Sequence, residues 1–198
     1  MIYNKKMSLS IIIPVYNEED QIKITLNKIN NFKKKFHNLE IIFVDDFSSD
    51  NTKNIIKKYC ERKKFIKIVK NTKKGLGSAI YNGLIKSKNK FICIFMSDMS
   101  DNLNDVKRYY KLISKENLDA VLGSRFNKRS NIVDYPLFKL ILNRIFNTIV
   151  RFLFISKYND FTNAFKIYKR KTLLKILPIV SEHFNVFLEL PLKIIIRK

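Results

Sequence analysis

Two apolar runs in this chain each end directly in acidic residues. Residues 41–44 lead into Asp45 and Asp46, and residues 91–96 lead into the stretch Ser-Asp-Met-Ser-Asp at 97–101. Their length and β-branched content predict strands buried on both faces, and open α/β sheets bind ligands beyond the carboxyl ends of such strands. We therefore expect these acids to lie at a ligand site. In so basic a chain, the cluster favours a divalent cation that bridges carboxylate and phosphate.

Strand-like and helix-like segments alternate from residue 8 to about residue 123. Apolar patterns predict a helix capped by Asp50 that runs to about residue 63, further helices at 19–32, 78–86 and 104–114, and strands at 8–15, 39–44, 65–69, 91–95 and 120–122. This βαβα order with short connections predicts a mostly parallel sheet with helices on both faces. After residue 125 the pattern changes to a polar loop, a long amphipathic helix, a short strand around 164–168 and further apolar segments.

Composition predicts one folded domain with anionic partners. The chain has 198 residues, of which 46% are hydrophobic, enough to bury a substantial core. Lys and Arg total 39 against 17 Asp and Glu, a net charge of +22 that favours anionic lipid, nucleic acid or phosphorylated metabolites, although many lysines fall on predicted solvated helix faces. We expect no nucleic acid, because most of the 16 Phe fall in apolar runs instead of alternating with basic residues.

Cysteine and histidine usage predicts neither a disulfide framework nor a zinc site. Cys60 and Cys93 are far apart, and His37 and His183 are isolated, so we expect a reduced, cytosolic compartment. The apolar stretch that precedes Pro14 is too short for a secretory signal. No run reaches the ~20 uninterrupted apolar residues that a spanning helix needs.

The first two strand-end loops offer groups that suit a nucleoside. We expect Pro14 to stop the strand ladder near the end of the first strand. After it, Tyr16 presents an aromatic ring and Glu18 can accept hydrogen bonds from a base or ribose. Alternatively, Glu18 and its acidic neighbours complement the dipole of the helix that follows, and the loop alone leaves both interpretations open. Asp46 follows the second strand, where an acid can meet a ribose hydroxyl.

The next two loops suit phosphate and metal. Gly75 and Gly77 open a predicted helix, where glycine lets a phosphate approach the backbone closely. Neither a dinucleotide fingerprint nor a P-loop is complete there, which argues against a dehydrogenase or an ATPase. Asp98, with Ser100 and Asp101 after it, can hold Mg²⁺ or Mn²⁺ through oxygen ligands. Asp101 has an alternative role as the cap of the next helix.

The residue pattern from Tyr135 to Ser156 predicts a basic amphipathic helix. On a wheel at about 100° per residue, one half is polar and the other apolar. The polar half holds Lys139, Asn143, Arg144, Asn147, Thr148 and Arg151, and the apolar half holds Phe138, Ile141, Leu142, Ile145, Phe146, Ile149, Phe152 and Leu153. Such a helix can lie in the interface of an anionic membrane, or its apolar face can pack on the domain.

These motifs together resemble glycosyltransferase family 2, and within it the dolichol- and polyprenyl-phosphate mannosyltransferase-like enzymes. The resemblance runs in order through nearly the whole chain, which makes it far more specific than any single motif. It covers SIIIPVYNEE at 10–19, VDDFSSDNT at 44–52, KGLGSAIYNG at 74–83, MSDMSD at 96–101, LGSRF at 122–126, DFTNAFKIYKR at 160–170 and ELPLK at 189–193.

The resemblance implies an A-type glycosyltransferase fold, a Rossmann-like mostly parallel sheet that binds a nucleoside diphosphate sugar. Residues 8–125 would form the donor-binding half and residues 126–198 the acceptor-side half of one domain. It implies that the nucleoside is held by Pro14, Tyr16, Glu18 and Asp46, with Gly77 near the phosphates. It also implies that Asp98 with Ser100 holds the metal and that Arg125 contacts phosphate. Basic residues of the second half, Arg144 among them, would receive the acceptor phosphate.

Two departures from the family pattern matter. The usual metal motif is Asp-x-Asp, and Ser97 stands at its first position, which leaves one strong ligand where relatives have two. The chain also stops at Lys198, shortly after the Glu189 match, where relatives usually continue. We therefore expect either a minimal or truncated version of the family domain, or one that a membrane partner protein or a homo-oligomer completes.

The resemblance implies inverting transfer of a hexosyl group to a polyprenyl phosphate. A phosphate acceptor is already ionised and needs no strong general base, which fits a sequence without an evident one. This function would place the protein in the cytoplasm, peripheral at the inner face of an anionic membrane. One alternative is transfer to a saccharide hydroxyl, for which Asp160 on a predicted strand edge is the attractive base. Another is a truncated nucleotide-sugar-binding protein without activity.

Overall fold

The computed structural model describes residues 8–34, 36, 38–127 and 136–197. His37, Tyr135 and most of the predicted polar loop after residue 125 lie outside the described residues. Within the described part, six strands form one sheet. They are β1 (Ser8–Val15), β2 (Asn38–Asp45), β3 (Ile66–Lys70), β4 (Phe91–Ile94), β5 (Ala120–Leu122) and β6 (Lys166–Lys169), in the spatial order β3-β2-β1-β4-β6-β5.

Seven helices in the described residues connect or cover these strands. They are α1 (Glu19–Lys33), α2 (Thr52–Arg62), α3 (Leu76–Lys86), α4 (Leu103–Lys115), α5 (Leu137–Leu153), α6 (Arg170–Lys175) and α7 (Val186–Ile196). Every strand and helix predicted over residues 8–123 is present, with ends shifted by at most a few residues. The helix predicted at 135–156 is shorter in the structure, where α5 covers Leu137–Leu153.

The sheet is parallel through β1, β2, β3 and β4, as predicted, but its far side departs from the chain order. β6 lies between β4 and β5 and runs antiparallel to both. β5 therefore points the same way as β4 without pairing with it. The second half of the chain thus supplies an internal strand of the sheet, and Ile167 and Tyr168 of that strand are fully buried.

Helices cover both faces of the sheet and bury two apolar clusters. On one face, Ile11 and Ile13 of β1 pack with Ile22 of α1 and Val106 of α4. On the other face, Ile12 packs with residues of α3, α6 and α7, namely Ile80, Leu84, Leu173, Val186 and Leu190. Successive β1 residues point to opposite faces because side chains alternate along a strand. A central strand covered in this way reads as continuously apolar, as Ile11-Ile12-Ile13 does.

Strand β1 extends through Val15, as predicted, but Pro14 does not stop the ladder with β2, contrary to our expectation, because the pairing continues to Val15 and Asp45. Ile12 accepts a backbone hydrogen bond from Phe95, so Ile12 and, two residues on, Pro14 face β4. The last β4 residue in the pairing is Ile94, opposite Ile12. The N–H that proline lacks would therefore have no strand partner there, and Pro14 is tolerated.

The α5 helix is attached by its polar side, and its apolar face points outward. Within α5 only Asn147 and Val150 are buried. Its apolar residues are exposed, among them Phe138 at 72%, Ile149 at 53% and Phe152 at 87%. Packing of the apolar face on the domain, one of the two alternatives left open by the sequence, is therefore wrong for the described part of the chain. None of the described helices is long and apolar enough to span a bilayer.

Close packing of α3 on β1 generates a prediction about Gly83. A Cβ atom at this position would lie 2.4 Å from Cγ2 of Ile12, which is fully buried. Gly83→Ala should lower the free energy of unfolding by about 1–2 kcal/mol, because overpacking costs about 1–3 kcal/mol and exceeds the helix-propensity gain of at most about 1 kcal/mol. Urea denaturation measures the change.

The matched control is Lys86→Ala in the exposed last turn of α3, which should change stability by less than about 0.5 kcal/mol. A stabilised Gly83→Ala variant would show that β1 and α3 are farther apart than the structure places them.

Candidate active site

The carboxyl ends of β1, β2 and β4 meet at one edge of the sheet. Val15 is paired with Asp45, and the Asp46 amide donates to the Val15 carbonyl at 2.9 Å. On the other side of β1, the Phe95 amide donates to the Ile12 carbonyl at 3.0 Å. The loops that carry the predicted nucleoside-binding and metal-binding acids therefore start beside one another.

Short polar side chains fasten the loop after β1 to the loop after β2. Asn17, in a left-handed conformation with φ 51°, lies at the centre of this contact. Backbone amides of Asn17, Glu18 and Glu19 donate to Ser48 Oγ at 3.1 Å, Thr52 Oγ1 at 2.8 Å and Asp50 Oδ2 at 3.0 Å, and the Ser49 amide donates to Asn17 Oδ1 at 2.8 Å. Asp50 also accepts from the Thr52 amide at 3.0 Å, so it satisfies the first turn of α2, although Asn51 is the capping position.

Glu18 points its carboxylate at the loop after β4. Its Oε1 accepts a hydrogen bond from Ser97 Oγ at 2.7 Å, and its side chain makes no capping bond to α1. Ser97 is almost fully buried, and its carbonyl accepts from Thr25 Oγ1 at 2.8 Å. Serine at this position therefore binds Glu18 directly, where an aspartate would set two carboxylates against each other.

Asp46 orders the glycine loop between β3 and α3. Its carboxylate accepts from the Gly75 amide at 2.9 and 3.1 Å and from Asn71 Nδ2 at 2.7 Å. Gly75 has φ 131°, a conformation that favours glycine. A carboxylate has about four acceptor positions, so these bonds leave room for a ligand hydroxyl. The ribose contact of Asp46 stays a prediction.

Gly77 makes its close approach to another part of the chain. A Cβ atom there would lie 1.8 Å from the Ser181 carbonyl oxygen, and the Gly77 amide donates to the Glu182 carbonyl at 3.2 Å. Glu189 of α7 holds this segment by accepting from the amides of Val180 at 2.9 Å and Ser181 at 2.7 Å. The packing explains why glycine is required, and the phosphate contact of Gly77 stays a prediction.

Aromatic rings and lysines line the same edge of the sheet. Tyr16 is 47% exposed, with Lys74 Nζ 4.9 Å from its ring centroid. Phe47 is 42% exposed, with Lys70 Nζ 5.8 Å from its ring centroid. An exposed ring beside a cation suits a flat base with attached phosphates. Pro14, by contrast, is buried within β1, and its predicted nucleoside contact stays a prediction.

The turn after β4 presents an exposed carboxylate next to a partly buried one. Asp98 is exposed, and its Oδ1 accepts from the Ser100 amide at 2.9 Å. Burial, and after it the charge of Asp98, raises the pKa of Asp101 to about 6, whereas the Arg125 guanidinium acts to lower it. The cap of α4 is Asn102, which accepts from the Asn104 amide at 2.9 Å. The alternative role of Asp101 as that cap is therefore wrong.

These donors suit a hard divalent cation. Carboxylate and hydroxyl oxygens are the ligands that Mg²⁺ and Mn²⁺ prefer, and a cation would offset the repulsion between Asp98 and Asp101. Among the described residues, no group of three or more His, Cys, Asp or Glu side chains is arranged to hold a metal. Substrate phosphates would have to complete the coordination, as the single Asp of the motif predicts.

Arg125 and Asp160, predicted in separate roles, form one buried ion pair. Arg125 Nε lies 2.9 Å from Asp160 Oδ2 and Nη2 lies 2.8 Å from Oδ1, while the Arg125 amide also donates to Oδ2 at 2.8 Å. Asp160 is fully buried and lies before β6, not on a strand edge, whereas the Arg125 side chain is 23% exposed. Both oxygens are bound to Arg125, which disfavours Asp160 as an acceptor-side base, and that role stays a prediction.

Lys166 binds the segment that follows Asp160, and our sequence analysis did not select it. Its side chain is fully buried, and Nζ donates to the carbonyls of Phe161 at 2.9 Å, Phe187 at 2.8 Å and Asn163. Burial lowers the pKa of Lys166 to about 7, and the charge of Asp160 opposes that shift. Three carbonyls match the three N–H groups of an ammonium, so Lys166 ties α7 to the segment that carries Asp160. A lysine in a strand that is covered on both faces is the signal that could have identified it.

Two other predicted residues lie near the edge of this arrangement. Arg144 is exposed on α5, three residues before the buried Asn147 and therefore about one turn away. Its acceptor role stays a prediction. His183, expected to be a surface or packing residue, is exposed in the segment before α7.

The raised pKa of Asp101 generates a prediction with a defined sign. Above about pH 6, Asp101 is ionised in the folded protein, where burial and the charge of Asp98 make the ionised form unfavourable and lower the free energy of unfolding. This loss of stability disappears near pH 4, as the group becomes protonated in both the folded and the unfolded protein. Asp101→Asn should raise the free energy of unfolding at pH 7.5 by about 1–2 kcal/mol, a value reduced from about 1.4 kcal/mol per pKa unit by partial exposure. The gain should shrink as the pH falls from 6 to 4. Urea denaturation across this range tests it, with Asp20→Asn in the exposed first turn of α1 as the control.

A gain that persists at pH 4, or no gain at pH 7.5, would contradict the proposed environment of Asp101. A gain of equal size in Asp20→Asn would show a general charge effect.

Comparison with known proteins adds the family. The family model described as "Glycosyl transferase family 2" matches residues 10–177. Dolichyl-phosphate beta-glucosyltransferase of Dictyostelium discoideum is 30% identical over 192 residues, covering 86% of this chain and 56% of that protein. Dolichyl-phosphate beta-glucosyltransferase of Mus musculus is 28% identical over 180 residues, covering 82% of this chain and 55% of the relative. The chain spans about half the length of these curated relatives.

Two solved structures share the fold. Glucosyl-3-phosphoglycerate synthase from Mycobacterium tuberculosis, in complex with Mn²⁺, UDP and glucosyl-3-phosphoglycerate, superposes with a TM-score of 0.72 at 16% identity, covering 96% of this chain and 66% of that one. TarS of S. aureus, residues 1–349, gives a TM-score of 0.66 at 24% identity, covering 95% and 55%. The predicted A-type glycosyltransferase fold is confirmed. Because the family model matches most of this chain, the chain belongs to glycosyl transferase family 2.

Proposed function

We propose that this chain binds a nucleoside diphosphate sugar at the carboxyl edge of the sheet and transfers its hexosyl group, with inversion, to a polyprenyl phosphate. The observation that carries the proposal is the meeting of three strand-end loops at one edge of the sheet, where Glu18 accepts a hydrogen bond from Ser97, directly before Asp98, and Asp46 orders the glycine loop. A candidate cation site and a candidate nucleoside site therefore lie beside one another. Family membership and the names of the dolichyl-phosphate beta-glucosyltransferase relatives support the same reaction class.

The donor site uses the loops after β1 and β2. Tyr16 offers its exposed ring to the base, and Asp46 and Glu18 offer carboxylate oxygens to the ribose and base. Mg²⁺ or Mn²⁺, held by Asp98 and Ser100 with Asp101 beside them, would supply positive charge to the diphosphate. The solved relative that contains Mn²⁺ and UDP supports this ligand chemistry for the fold.

The state of Asp160 favours a phosphate acceptor over a saccharide hydroxyl. A hydroxyl acceptor needs a base within hydrogen-bond reach, and both oxygens of Asp160 are bound to Arg125. A phosphate monoester is already ionised at neutral pH and can attack without losing a proton to the enzyme. Arg125 contributes charge and position, and the partner carboxylate keeps its guanidinium in one orientation.

The exposed face of α5 supports a membrane role for the acceptor side. α5 has no acidic residue, and it carries Lys139, Arg144 and Arg151 beside the exposed apolar face. Cations that flank an apolar face complement an anionic lipid surface, where the apolar side chains enter the interface. We propose that the protein lies peripherally on the inner face of the cytoplasmic membrane, where a polyprenyl phosphate would reach Arg125.

A nucleotide-sugar-binding protein without transfer activity is the second candidate. It is favoured by Ser97, which replaces one metal ligand and is bound to Glu18. Donor binding without turnover would support it. A membrane partner protein or a second copy of this chain would then be needed to complete the site.

Replacing Asp98 tests the donor site. Asp98→Ala should weaken binding of a nucleoside diphosphate sugar in the presence of Mn²⁺ at least tenfold, and it should abolish metal-dependent turnover, because the exposed carboxylate is lost. Calorimetric titration with and without Mn²⁺ measures the affinity. The control is Asp105→Ala, which removes an exposed carboxylate paired with Arg108 on α4. Equal, Mn²⁺-dependent affinities of wild type and Asp98→Ala would exclude the metal site.

Flotation with vesicles tests the membrane surface. The protein should float with vesicles that contain anionic lipid at moderate salt. The double variant Ile149→Glu/Phe152→Glu should lose flotation while keeping its melting temperature, since both side chains are exposed. Ile24→Glu, at a 49% exposed position of α1, is the control and should still float. Failure of the wild type to bind anionic vesicles would remove the membrane role, and concentration-dependent dimers that the double variant abolishes would assign the face to a second copy.

A further inference from the structure

A single buried polar side chain joins α5 to the sheet domain. Of the 17 residues of α5, only Asn147 at 1% and Val150 at 6% exposure are buried. Most of the apolar residues of α5, which would usually fasten a helix to a core, point away from the domain. The position and rotation of α5 therefore depend on Asn147 and Val150, and of these two only Asn147 can form side-chain hydrogen bonds.

Asn147 uses both ends of its amide. Its Oδ1 accepts from the Phe161 amide at 2.6 Å, and its Nδ2 donates to Thr162 Oγ1 at 3.0 Å and to the Asn143 carbonyl at 2.8 Å. Phe161 and Thr162 directly follow Asp160 in the chain. The side chain thus fastens α5 to the segment that holds the Arg125 ion pair.

Thr162 extends this connection to Arg125. Its Oγ1 accepts from Arg125 Nη2 at 2.8 Å and from Asn147 Nδ2 at 3.0 Å, and it lies 3.4 Å from Asp160 Oδ1, to which its own hydrogen can point. A hydroxyl has two acceptor positions and one donor, and this arrangement uses all of them. Hydrogen bonds therefore run without interruption from α5 to the guanidinium.

A rotated α5 that buried its apolar face would break this hydrogen-bond network. Half a turn of rotation would bury the apolar face of α5 and gain hydrophobic free energy, but it would withdraw Asn147 from Phe161 and Thr162. Buried polar groups left without partners are unfavourable, so a fully bonded network selects one geometry. In the observed orientation, Asn147 and Val150 face the domain and the network of Asn147 is fully bonded.

We propose that Asn147 is a positioning residue that holds α5 and Arg125 as one unit, fixing the distance between the surface that meets the lipid chain and the guanidinium that meets its phosphate. This inference rests on the proposed polyprenyl phosphate acceptor. It adds a residue that touches neither substrate and acts through Thr162. If α5 and Arg125 are coupled, a change inside α5 should alter KM for the acceptor and leave KM for the donor unchanged.

Kinetics in anionic vesicles test the coupling. Asn147→Ala should raise KM for polyprenyl phosphate about tenfold, corresponding to about 1.4 kcal/mol, and leave KM for the nucleoside diphosphate sugar within twofold. Thr162→Val, which removes the shared hydroxyl, should do the same, and Thr162→Ser should lose less. The double variant Asn147→Ala/Thr162→Val should be no worse than the stronger single variant, because both break one connection. The control is Thr148→Ala, since the exposed Thr148 hydroxyl donates to the Arg144 carbonyl of its own helix.

Hydrogen exchange gives a readout that is independent of turnover. The Arg125 amide donates to Asp160, so Asn147→Ala should accelerate its exchange together with that of the Phe161 amide, while amides of β1 stay protected. Unchanged exchange at Arg125, or a donor KM that rises as much as the acceptor KM, would overturn the inference. Thr162→Val supplies the same measurement should Asn147→Ala fail to fold. If the wild type transfers no sugar to polyprenyl phosphate, the proposed function fails, and the exchange result still decides the positioning role.

Discussion

The second half of the described chain is joined to the first by the ion pair of the partly buried Arg125 and the fully buried Asp160. Removing two charges from water is expensive, and such a pair persists only when its geometry is good and its remaining donors and acceptors are satisfied. Here the pair is bidentate, a backbone amide adds a third bond to the carboxylate, and Lys166 places another positive charge near by. Because the partners come from the segment after β5 and the segment before β6, the pair fixes the only part of the described sheet where the strand order departs from the parallel pattern.

Local sequence patterns were sufficient for the parallel part of the fold. Strand length, helical spacing and the acids that follow β2 and β4 depend on neighbours in the sequence, so they could be read directly. The insertion of β6 between β4 and β5 could not, because strand pairing between distant segments is decided by tertiary packing. The cap of α4 was left open for a related reason: Asp101 and Asn102 are both good caps, and only the backbone path shows that Asn102 takes the role.

The helical wheel of α5 was correct in periodicity and incomplete in meaning. It separates polar from apolar residues, but it does not show which half meets the domain. A polar residue such as Asn147 can be buried when its hydrogen bonds are satisfied, and the wheel does not show whether they are. Lys166 was missed in the same way. In a linear sequence it is one of many lysines, and only the carbonyls of Phe161, Asn163 and Phe187 around its Nζ distinguish it. Buried polar residues of this kind are the part of a site that composition and spacing predict least well.

The outward orientation of α5 has a consequence for how this helix opens locally. Hydrophobic burial normally gives a helix most of its resistance to local unfolding, and α5 obtains little of it from its own domain. In dilute buffer, detachment of α5 would therefore expose little new apolar surface, and the bonds of Asn147 would provide most of the resistance to it. Such local opening should depend only weakly on denaturant concentration. At a lipid interface the same detachment would pull eight or more apolar side chains into water. A bilayer would then add a hydrophobic contribution that the domain itself does not supply to this helix.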